Sequence, residues 1–451
     1  MPRDFTKNTA NYLRTLEPPP SPVATSAFVG FGKNVVGARG GSIIHVTNLN
    51  DSGAGSFRAA VTASGQRFVV FDVSGTIQLT SGAINITNPF LHIAGQTAPA
   101  PGIQVRGAQF NIFAREVIIQ HITFRNSKNI ADADRAGNGD SLGIQCSAGS
   151  TVENIVIDHC TMQWAADELI MVWNLSETSG IMRNITFQYC LACEGLFSRN
   201  VIFGGTSSTT RTVPQLVTNV TMWRNIMANT TERFPRIREN CSIEVRNNYA
   251  YNAGSGTYCL VGNSGFAIQT PSWLSFRDNY YVAGPLRTTD LEAIGWEDGA
   301  WATGSKCYIN GNVLVGFDRL HGGNSNMNNA VTAVGGTPGV GGGTLPANMD
   351  SGITAGQIIA PGTALRDHLC DYVGSRPINR DAQVLDVINN CRTQSGGISA
   401  SSVAGYGGPV TFANNTSVWP HPANPNGDDN LDGITNIEDV LAAQSDAVIG
   451  W

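Results

Sequence analysis

Two arginines that could bind an acidic polymer lie five residues apart in the segment RFPRIR, which begins at Arg233. The planar fork of an arginine side chain grips a carboxylate through two parallel hydrogen bonds, and Pro235 stiffens the backbone between Arg233 and Arg238. Arg236 lies between them and is a further candidate for substrate binding. Charge spacing alone favours a solvated basic turn over a binding site. The rest of the sequence must therefore decide whether this segment is a uronate site.

A second group of candidate side chains, near the C-terminus, has the spacing of a calcium-binding loop. Its members are Asp428, Asn430, Asp432, Gly433, Asn436 and Asp439, which hold positions 1, 3, 5, 6, 9 and 12 of an EF-hand-like loop. The loop resembles those of dockerins, which also end in Asp. Because a dockerin has two such loops and this chain has one, we predict a local calcium staple rather than a partner-binding module.

Short segments that recur along the chain indicate what positions these side chains. The segments IQHITF, IDHCTM, FQYCLA, MWRNIM, VRNNYA, FRDNYY and INGNVL align so that one column contains Ile122, Cys160, Cys190, Asn225, Asn248, Asn279 and Asn312. Each interval holds about three short strands with turns, which fits one coil of a parallel β-helix whose loops vary in length. The asparagines are predicted to form an internal ladder, each amide bonding to the next coil.

Composition agrees with an all-β solenoid. The chain has 451 residues, of which 51 are glycine and only 14% are charged. No apolar run is long enough for a membrane span, so we predict no membrane insertion. The net charge of −6 argues against a general nucleic-acid binder, so an acidic substrate must be met by local arginines.

The nine cysteines show no paired zinc-site spacing and are predicted to be mostly free and buried. Residues 1–22 are polar and lack the apolar core of a signal peptide. The prediction divides the chain into an N-terminal head with a Pro-rich spacer (1–26), a β-helix domain (27–420) and a C-terminal segment with the calcium loop (421–451).

Several stretches between residues 27 and 252 resemble the pectate lyase superfamily, specifically bacterial members of polysaccharide lyase family 1. They include FGKNVVGARGGSIIHVTNLNDSGAGSFRAAV, FVVFDVSGTIQL, LHIAGQTAP, IDHCTMQWAADE and RFPRIR. The resemblance implies a right-handed single-stranded parallel β-helix, a calcium cofactor, and cleavage of uronate polysaccharides by β-elimination. It places Arg233 at the position of the family's catalytic base and Arg238 at the position of the residue that binds substrate beside that base.

Elimination requires a proton to leave the carbon next to a uronate carboxyl group, and a cation bound to that group makes the proton more acidic. Calcium takes several oxygen ligands, so carboxylates near the arginines are its candidate ligands. Asp140, Asp167 and Glu168 fit this requirement, and the family holds calcium with acids at comparable places. Asp132 and Asp134 are further candidates in the same loop as Asp140.

Other substrate contacts are less well defined. The loop after Cys190 contains no lysine where many relatives offer a lysine or histidine, and Arg199 or Arg211 is the candidate to substitute for it. Trp164 is a candidate for stacking on a sugar ring. His159 is a candidate for substrate contact, although its place beside the ladder column also fits a hydrogen-bonded core histidine.

The leading interpretation is a calcium-dependent lyase acting on a pectate-like acidic polysaccharide. One alternative is a β-helix glycoside hydrolase that uses two carboxylates, and another is a non-catalytic carbohydrate-binding virion adhesin. The segment MPRDFTKNTANYL resembles the opening of some tailed-phage virion proteins. We therefore expect an extracellular or virion-associated protein, and a homotrimer if it is borne on a phage.

Overall fold

The protein is described by a computed structural model. The described residues are 28–127, 139–176, 179–196, 199–206, 217–238, 240–254, 258–261, 271–285, 293–296, 305–317, 330–334, 345, 349–397, 410–430, 432 and 434–449. The predicted head and the candidates Asp132, Asp134 and Arg211 lie outside them.

The described residues form twenty-eight strands and four α-helices. In chain order the strands are β1 Ser42–Val46, β2 Arg67–Phe71, β3 Gly75–Gln78, β4 Ile84–Ile86, β5 Leu91–Ala94, β6 Ile103–Arg106, β7 Phe110–Ile112, β8 Val117–Gln120, β9 Ile122–Arg125, β10 Leu142–Cys146, β11 Thr151–Asp158, β12 Thr161–Gln163, β13 Glu168–Asn174, β14 Ile181–Gln188, β15 Leu191–Cys193, β16 Arg199–Gly205, β17 Val217–Trp223, β18 Ile226–Thr230, β19 Arg236–Ile237, β20 Cys241–Arg246, β21 Tyr249–Ala253, β22 Cys259–Val261, β23 Trp273–Arg277, β24 Tyr280–Val282, β25 Ile294–Trp296, β26 Ser305–Asn310, β27 Val313–Val315 and β28 Ala330–Val334. The helices are α1 Phe57–Thr62, α2 Thr363–Tyr372, α3 Ala382–Thr393 and α4 Asn436–Ile449.

The strands form three sheets that the chain visits in turn, which makes the fold a parallel β-helix, as predicted. The first sheet has the order β1-β2-β5-β8-β11-β14-β17-β20-β23-β26-β28, and only its last pair, β26 with β28, is antiparallel among the described strands. The second sheet runs from β3 through β6, β9, β12, β15, β18, β21 and β24 to β27. The third runs from β4 through β7, β10, β13, β16, β19 and β22 to β25.

The core lies inside the coils, where side chains at equivalent positions stack in register. One such row along the first sheet contains Ile119, Ile157, Phe187, Met222, Val245 and Phe276. All of these side chains are buried. Each row is apolar because its residues face neighbours from the coils on both sides, away from water.

The predicted asparagine ladder is confirmed at the turn between the first and second sheets. The Asn248 side-chain oxygen accepts hydrogen bonds from the backbone and side-chain amides of Asn225, at 2.8 and 3.0 Å. Asn279 accepts in the same way from Asn248, and Asn312 from Asn279. Cys160 and Cys190 occupy the same column as buried free thiols. Polar groups inside the solenoid are therefore satisfied by the coil repeat itself.

Each ladder residue follows a residue in the left-handed conformation. These preceding residues are His121, His159, Tyr189, Arg224, Asn247 and Asp278, with φ between 49° and 58°, and Gly311, with φ of 69°. Asn and Asp tolerate this conformation well, whereas His, Tyr and Arg adopt it at some cost in backbone free energy. The side chains at this turn stack on one another and are covered by later parts of the chain.

The helices after the last coil were not predicted. Helices α2 and α3 pack on the outside of the second sheet, burying Leu365, Leu369, Val387 and Ile388. Helix α4 packs near the beginning of the solenoid, where its Ile437 and Leu441 join a small core with Phe68, Val70 and Trp419. Gln96 donates to the backbone oxygen of Leu441 at 3.3 Å, and Arg39 pairs with Glu438 at 3.1 Å. In the described part of the chain, no helix has the length and hydropathy needed to span a membrane.

Candidate active site

Three carboxylates meet at the turn between the second and third sheets. Asp140 lies just before β10, Asp167 just before β13, and Glu168 is the first residue of β13. Because β10 and β13 are parallel and adjacent, their starting ends lie side by side. One potential ligand oxygen from each residue lies within 4.8 Å of the others, and this is the one such acidic group found in the described residues. The three acids therefore form a cluster that could hold a metal ion.

Asp140 is buried, and its carboxylate is fixed by two hydrogen bonds. One oxygen accepts from the backbone amide of Glu168 at 2.8 Å, and the other from the Gln109 side-chain amide at 3.0 Å. Burial of its carboxyl group, together with the nearby charge of Asp167, raises the pKa of Asp140 to about 8. A cation would reverse this effect, because it favours the charged carboxylate.

Two arginines from the next two coils pair with the acid cluster. Arg199 begins β16 and donates to Asp167, with a nitrogen 4.0 Å from Glu168. Arg233, just before β19, donates to Glu168. Glu232 lies between the arginines, 3.8 Å from Arg199 and 3.4 Å from Arg233, with its side chain 40% exposed. The turn between the second and third sheets thus presents acids and arginines in successive coils.

The backbone holds Arg233 in an unusual position. Its φ is 72°, in the left-handed region, and its carbonyl oxygen accepts a hydrogen bond from Val201 at 2.9 Å. Its Nε is buried without a hydrogen-bond partner. Burial, reinforced by the charge of Arg236, lowers the pKa of Arg233 to about 10. A strained backbone, a buried charge and an unpartnered donor are features typical of functional positions.

Arg238 packs on the outer face of the third sheet. Its guanidinium carbon lies 5.6 Å from the centroid of the Trp173 ring. Gly204 lies in register with Trp173, and a Cβ built on Gly204 would come within 2.8 Å of the Arg238 side chain. The missing side chain at Gly204 therefore makes room for Arg238. Arg236 lies in β19 in register with Ile202 of β16, so all three arginines of RFPRIR belong to the same face of the solenoid as the acids.

Two of the predicted substrate-binding residues are not brought to this site. The Trp164 ring is fully buried, with its N–H donating to Glu194 at 3.3 Å and the Arg125 guanidinium 4.5 Å above it. His159 lies at the other turn, between the first and second sheets, where its ring stacks between His121 and Tyr189 at 5.2 and 4.8 Å. Its Nδ1 is 2.7 Å from Asp158. Neither side chain is positioned to contact a substrate at the acid cluster, because both are enclosed by neighbouring side chains.

The C-terminal loop is held together by hydrogen bonds among its own polar groups. The Asn430 side-chain amide donates to Asp432 and to Asp439, both at 3.2 Å, and the backbone amide of Asp432 donates to Asp428 at 3.1 Å. Gly433 lies outside the described residues. The loop is far along the chain from the acid cluster and precedes α4, so its calcium-binding role stays a prediction.

Two residues near the cluster were not predicted from the sequence. Gln109 is 1% exposed, and its side-chain oxygen has no hydrogen-bond partner although its amide reaches Asp140. Glu232 precedes RFPRIR and would have been found by asking which acid could face the arginines of that segment. Gln109 had no such signal, because its contact with Asp140 depends on the register of β7 with β10.

Comparisons with known proteins agree with this architecture. The chain is 33% identical over 257 residues to a probable pectate lyase C of Aspergillus terreus, covering 57% of this chain and 53% of that protein. It is 34% identical over 257 residues to a probable pectate lyase C of Emericella nidulans, covering 57% and 52%. The chain thus spans about half the length of these curated relatives. No protein-family model matches it.

Among solved structures, the chain resembles jun a 1, the major allergen from cedar pollen, with a TM-score of 0.51. The two are 14% identical, and the alignment covers 83% of this chain and 94% of the allergen, which supports the β-helix fold. The relatives named as pectate lyases and the parallel β-helix together confirm the predicted resemblance of this chain to the pectate lyase superfamily.

Proposed function

We propose that the chain is a calcium-dependent polysaccharide lyase that cleaves a pectate-like, uronic-acid-containing polysaccharide by β-elimination. The observation that carries this proposal is the meeting of three carboxylates, within 4.8 Å of one another, with the arginines of RFPRIR on one face of the solenoid. Carboxylates alone would suit many cation sites. Acids and arginines together suit an acidic sugar that is bound partly through a cation and partly through guanidinium groups.

The residues present fit a calcium ion. Asp140, Asp167 and Glu168 offer carboxylate oxygens, and Gln109 adds a buried oxygen that has no hydrogen-bond partner beside Asp140. Hard oxygen donors of this kind, including neutral amide oxygens, are the ligands that calcium prefers. Bound calcium would neutralise the carboxylate of the substrate and so acidify the adjacent C–H group.

Arg233 is proposed as the base. Elimination moves the proton from the carbon next to the carboxyl group to the base, breaks the bond to the glycosidic oxygen, and leaves a double bond conjugated with the carboxylate. The departing oxygen then takes a proton. A pKa of about 10 makes proton acceptance easier for Arg233 than for an ordinary arginine.

The remaining arginines are proposed to bind the carboxylates of neighbouring sugars. Arg238 presents its guanidinium group above Trp173, and Arg236 lies two residues earlier, in β19. Arg199, one coil earlier, is proposed to contact the substrate in addition to its ion pair with Asp167. A polymer with one carboxylate per sugar would meet arginines from two adjacent coils along the third sheet.

The other predictions stay proposals of the same kind. The substrate is expected to be an acidic polysaccharide outside the cell. The protein itself is therefore proposed to be extracellular or virion-associated. Asp428, Asn430, Asp432 and Asp439 are proposed to hold a second calcium ion that stabilises residues 421–451 as a separate segment. A homotrimer is expected only if the protein is part of a phage.

The decisive experiment is a screen of acidic polysaccharides, with calcium and with excess chelator, for the ultraviolet absorbance of unsaturated uronate products. We expect absorbance with calcium and a polygalacturonate-like substrate, and none with chelator. New reducing ends without that absorbance would instead indicate a hydrolase. Substrate binding without either product would indicate a carbohydrate-binding protein.

A further inference from the structure

Two of the three carboxylates that would bind a cation also bind an arginine. Arg199 donates to Asp167, and Arg233 donates to Glu168. Among the described residues no arginine donates to Asp140, which keeps its bonds from Gln109 and from the Glu168 backbone. Two of the three candidate ligands thus already carry a positively charged partner at close range. A guanidinium group and a divalent cation cannot share one oxygen without strong repulsion between them.

The arrangement also contains a place for the arginines to go. Glu232 is 3.4 Å from Arg233 Nε and 3.8 Å from Arg199 Nε. The Nε atom of Arg233 is buried and has no hydrogen-bond partner in its present position. A small rotation of the guanidinium group toward Glu232 would satisfy that atom. Glu232, the charged partner that the arginines would need after their release, therefore already lies close to both of them.

We propose that Arg199 and Arg233 are competitors of the cation, so that occupation of the acid cluster and release of the two arginines toward Glu232 are a single event. This inference rests on the proposed function, since it concerns the same calcium site. Its consequence is that Arg233 is held on Glu168 until the site is loaded, and only then faces the substrate. Arg199 is a positioning residue in this scheme, because it acts through the affinity of the acids for the cation.

The test measures ion binding directly, by calorimetric titration of the full chain with calcium chloride after chelator treatment. An Asp432→Ala background removes binding by the C-terminal loop. Arg199→Gln is expected to tighten calcium binding about tenfold, because one competing charge has been removed from the cluster. Arg199→Lys keeps the charge and should leave the dissociation constant within about threefold of the parent. Glu232→Gln should weaken binding about threefold to tenfold, since the released arginines lose their acceptor.

The chain offers a matched control pair. Arg183 and Glu153 form an ion pair at 2.7 Å between adjacent coils of the first sheet, as Arg199 and Glu232 do near the third. Arg183→Gln and Glu153→Gln change the net charge by the same amounts and should leave calcium binding unchanged. This control separates a local competition from a general effect of net charge.

Unchanged or weaker calcium binding in Arg199→Gln, with a normal thermal unfolding curve, would overturn the inference. If that variant does not fold, tighter or unchanged binding in Glu232→Gln would overturn it independently. The proposed function fails separately, when the parent protein yields no unsaturated product with calcium. A parent that yields product while Arg199→Gln binds calcium no more tightly would refute the competition alone.

Discussion

Two of the three turns of each coil use polar side chains in different ways. At the turn between the first and second sheets, Asn248 has all its polar groups bonded to the coils on either side. At the turn between the second and third sheets, the Gln109 oxygen and the Arg233 Nε have no partner. The same backbone repeat therefore supports a neutral, satisfied ladder and a charged, incompletely satisfied cluster. Buried polar groups of the first kind stabilise a fold, and those of the second kind await a ligand.

Arg233→Lys, at the turn between the second and third sheets, should have the largest effect on turnover. Lysine keeps the positive charge but loses the planar fork and has no group that can take the same position. We expect turnover to fall by about a thousandfold or more, with little change in substrate binding. Initial rates of unsaturated product formation measure the effect, and thermal unfolding serves as the control. Turnover like that of the parent would remove Arg233 from the catalytic role.

Asn248→Leu should destabilise the turn between the first and second sheets. It would leave the Asn225 amides and the Met222 carbonyl oxygen without their partner, at about 1–3 kcal/mol for each buried group. We expect the free energy of unfolding in urea to fall by roughly 2–5 kcal/mol. Asn50→Leu makes the same change at an exposed position and should have almost no effect. An equal loss in both variants would contradict a specific role for the ladder.

Acidification should lower the stability of the fold at the turn between the first and second sheets, where buried histidines pack. Burial lowers the pKa of His121 and of His368 to about 3. The unfolded chain takes up protons below its ordinary histidine pKa, near 6.5, whereas the folded protein does so only near 3. Stability is therefore complete above about pH 6.5 and is lost as the pH falls toward 3, by roughly 2–3 kcal/mol per histidine at pH 4.5.

This pH dependence can be checked by urea unfolding between about pH 4.5 and 7.5 in the parent and in His121→Gln. The variant should be less stable at neutral pH, because His121 bonds to Ser375 and Ser445, but should lose less stability on acidification. Identical slopes in the two proteins would show that His121 does not titrate with folding.

The smallest effects should separate the two proposed calcium sites. Asp167→Ala should raise the calcium concentration needed for half-maximal turnover by about tenfold without lowering the melting temperature. Asp432→Ala should lower the melting temperature in calcium or the ion stoichiometry, and keep full turnover at saturating calcium. Loss of turnover in Asp432→Ala under those conditions would mean that the two regions are not independent.

The sequence was sufficient for the coil repeat and for the membership of the acid cluster. The ladder column could be aligned because its residues recur once per coil, and the positions of Asp140, Asp167 and Glu168 followed from the family resemblance. Gln109 and Glu232 could not be found in this way, since their contacts depend on strand register between coils. Helices α2 and α3 were missed because they lie outside the repeat and pack on it through ordinary apolar faces.

Trp164 and His159 show a different limit of sequence-based prediction. Both have side chains suited to a sugar; His159 belongs to the IDHC segment and Trp164 follows it closely. Their exposure depends on what covers the turn between coils, and here Arg125 and the neighbouring rings cover them. Chemical type and position along the repeat therefore do not determine access to solvent.

The packing of α4 near the beginning of the solenoid changes how the molecule should come apart. A linear stack of coils ordinarily loses structure from its ends inward, one repeat at a time. Here the last helix contacts Gln96 and Arg39, so the first coils cannot fray without also detaching the end of the chain. Fraying of the first coils is thereby coupled to the detachment of α4. We expect hydrogen exchange in β2 and β5 to accelerate when residues 421–451 are removed, as the early coils lose the segment that ties them to the rest of the molecule.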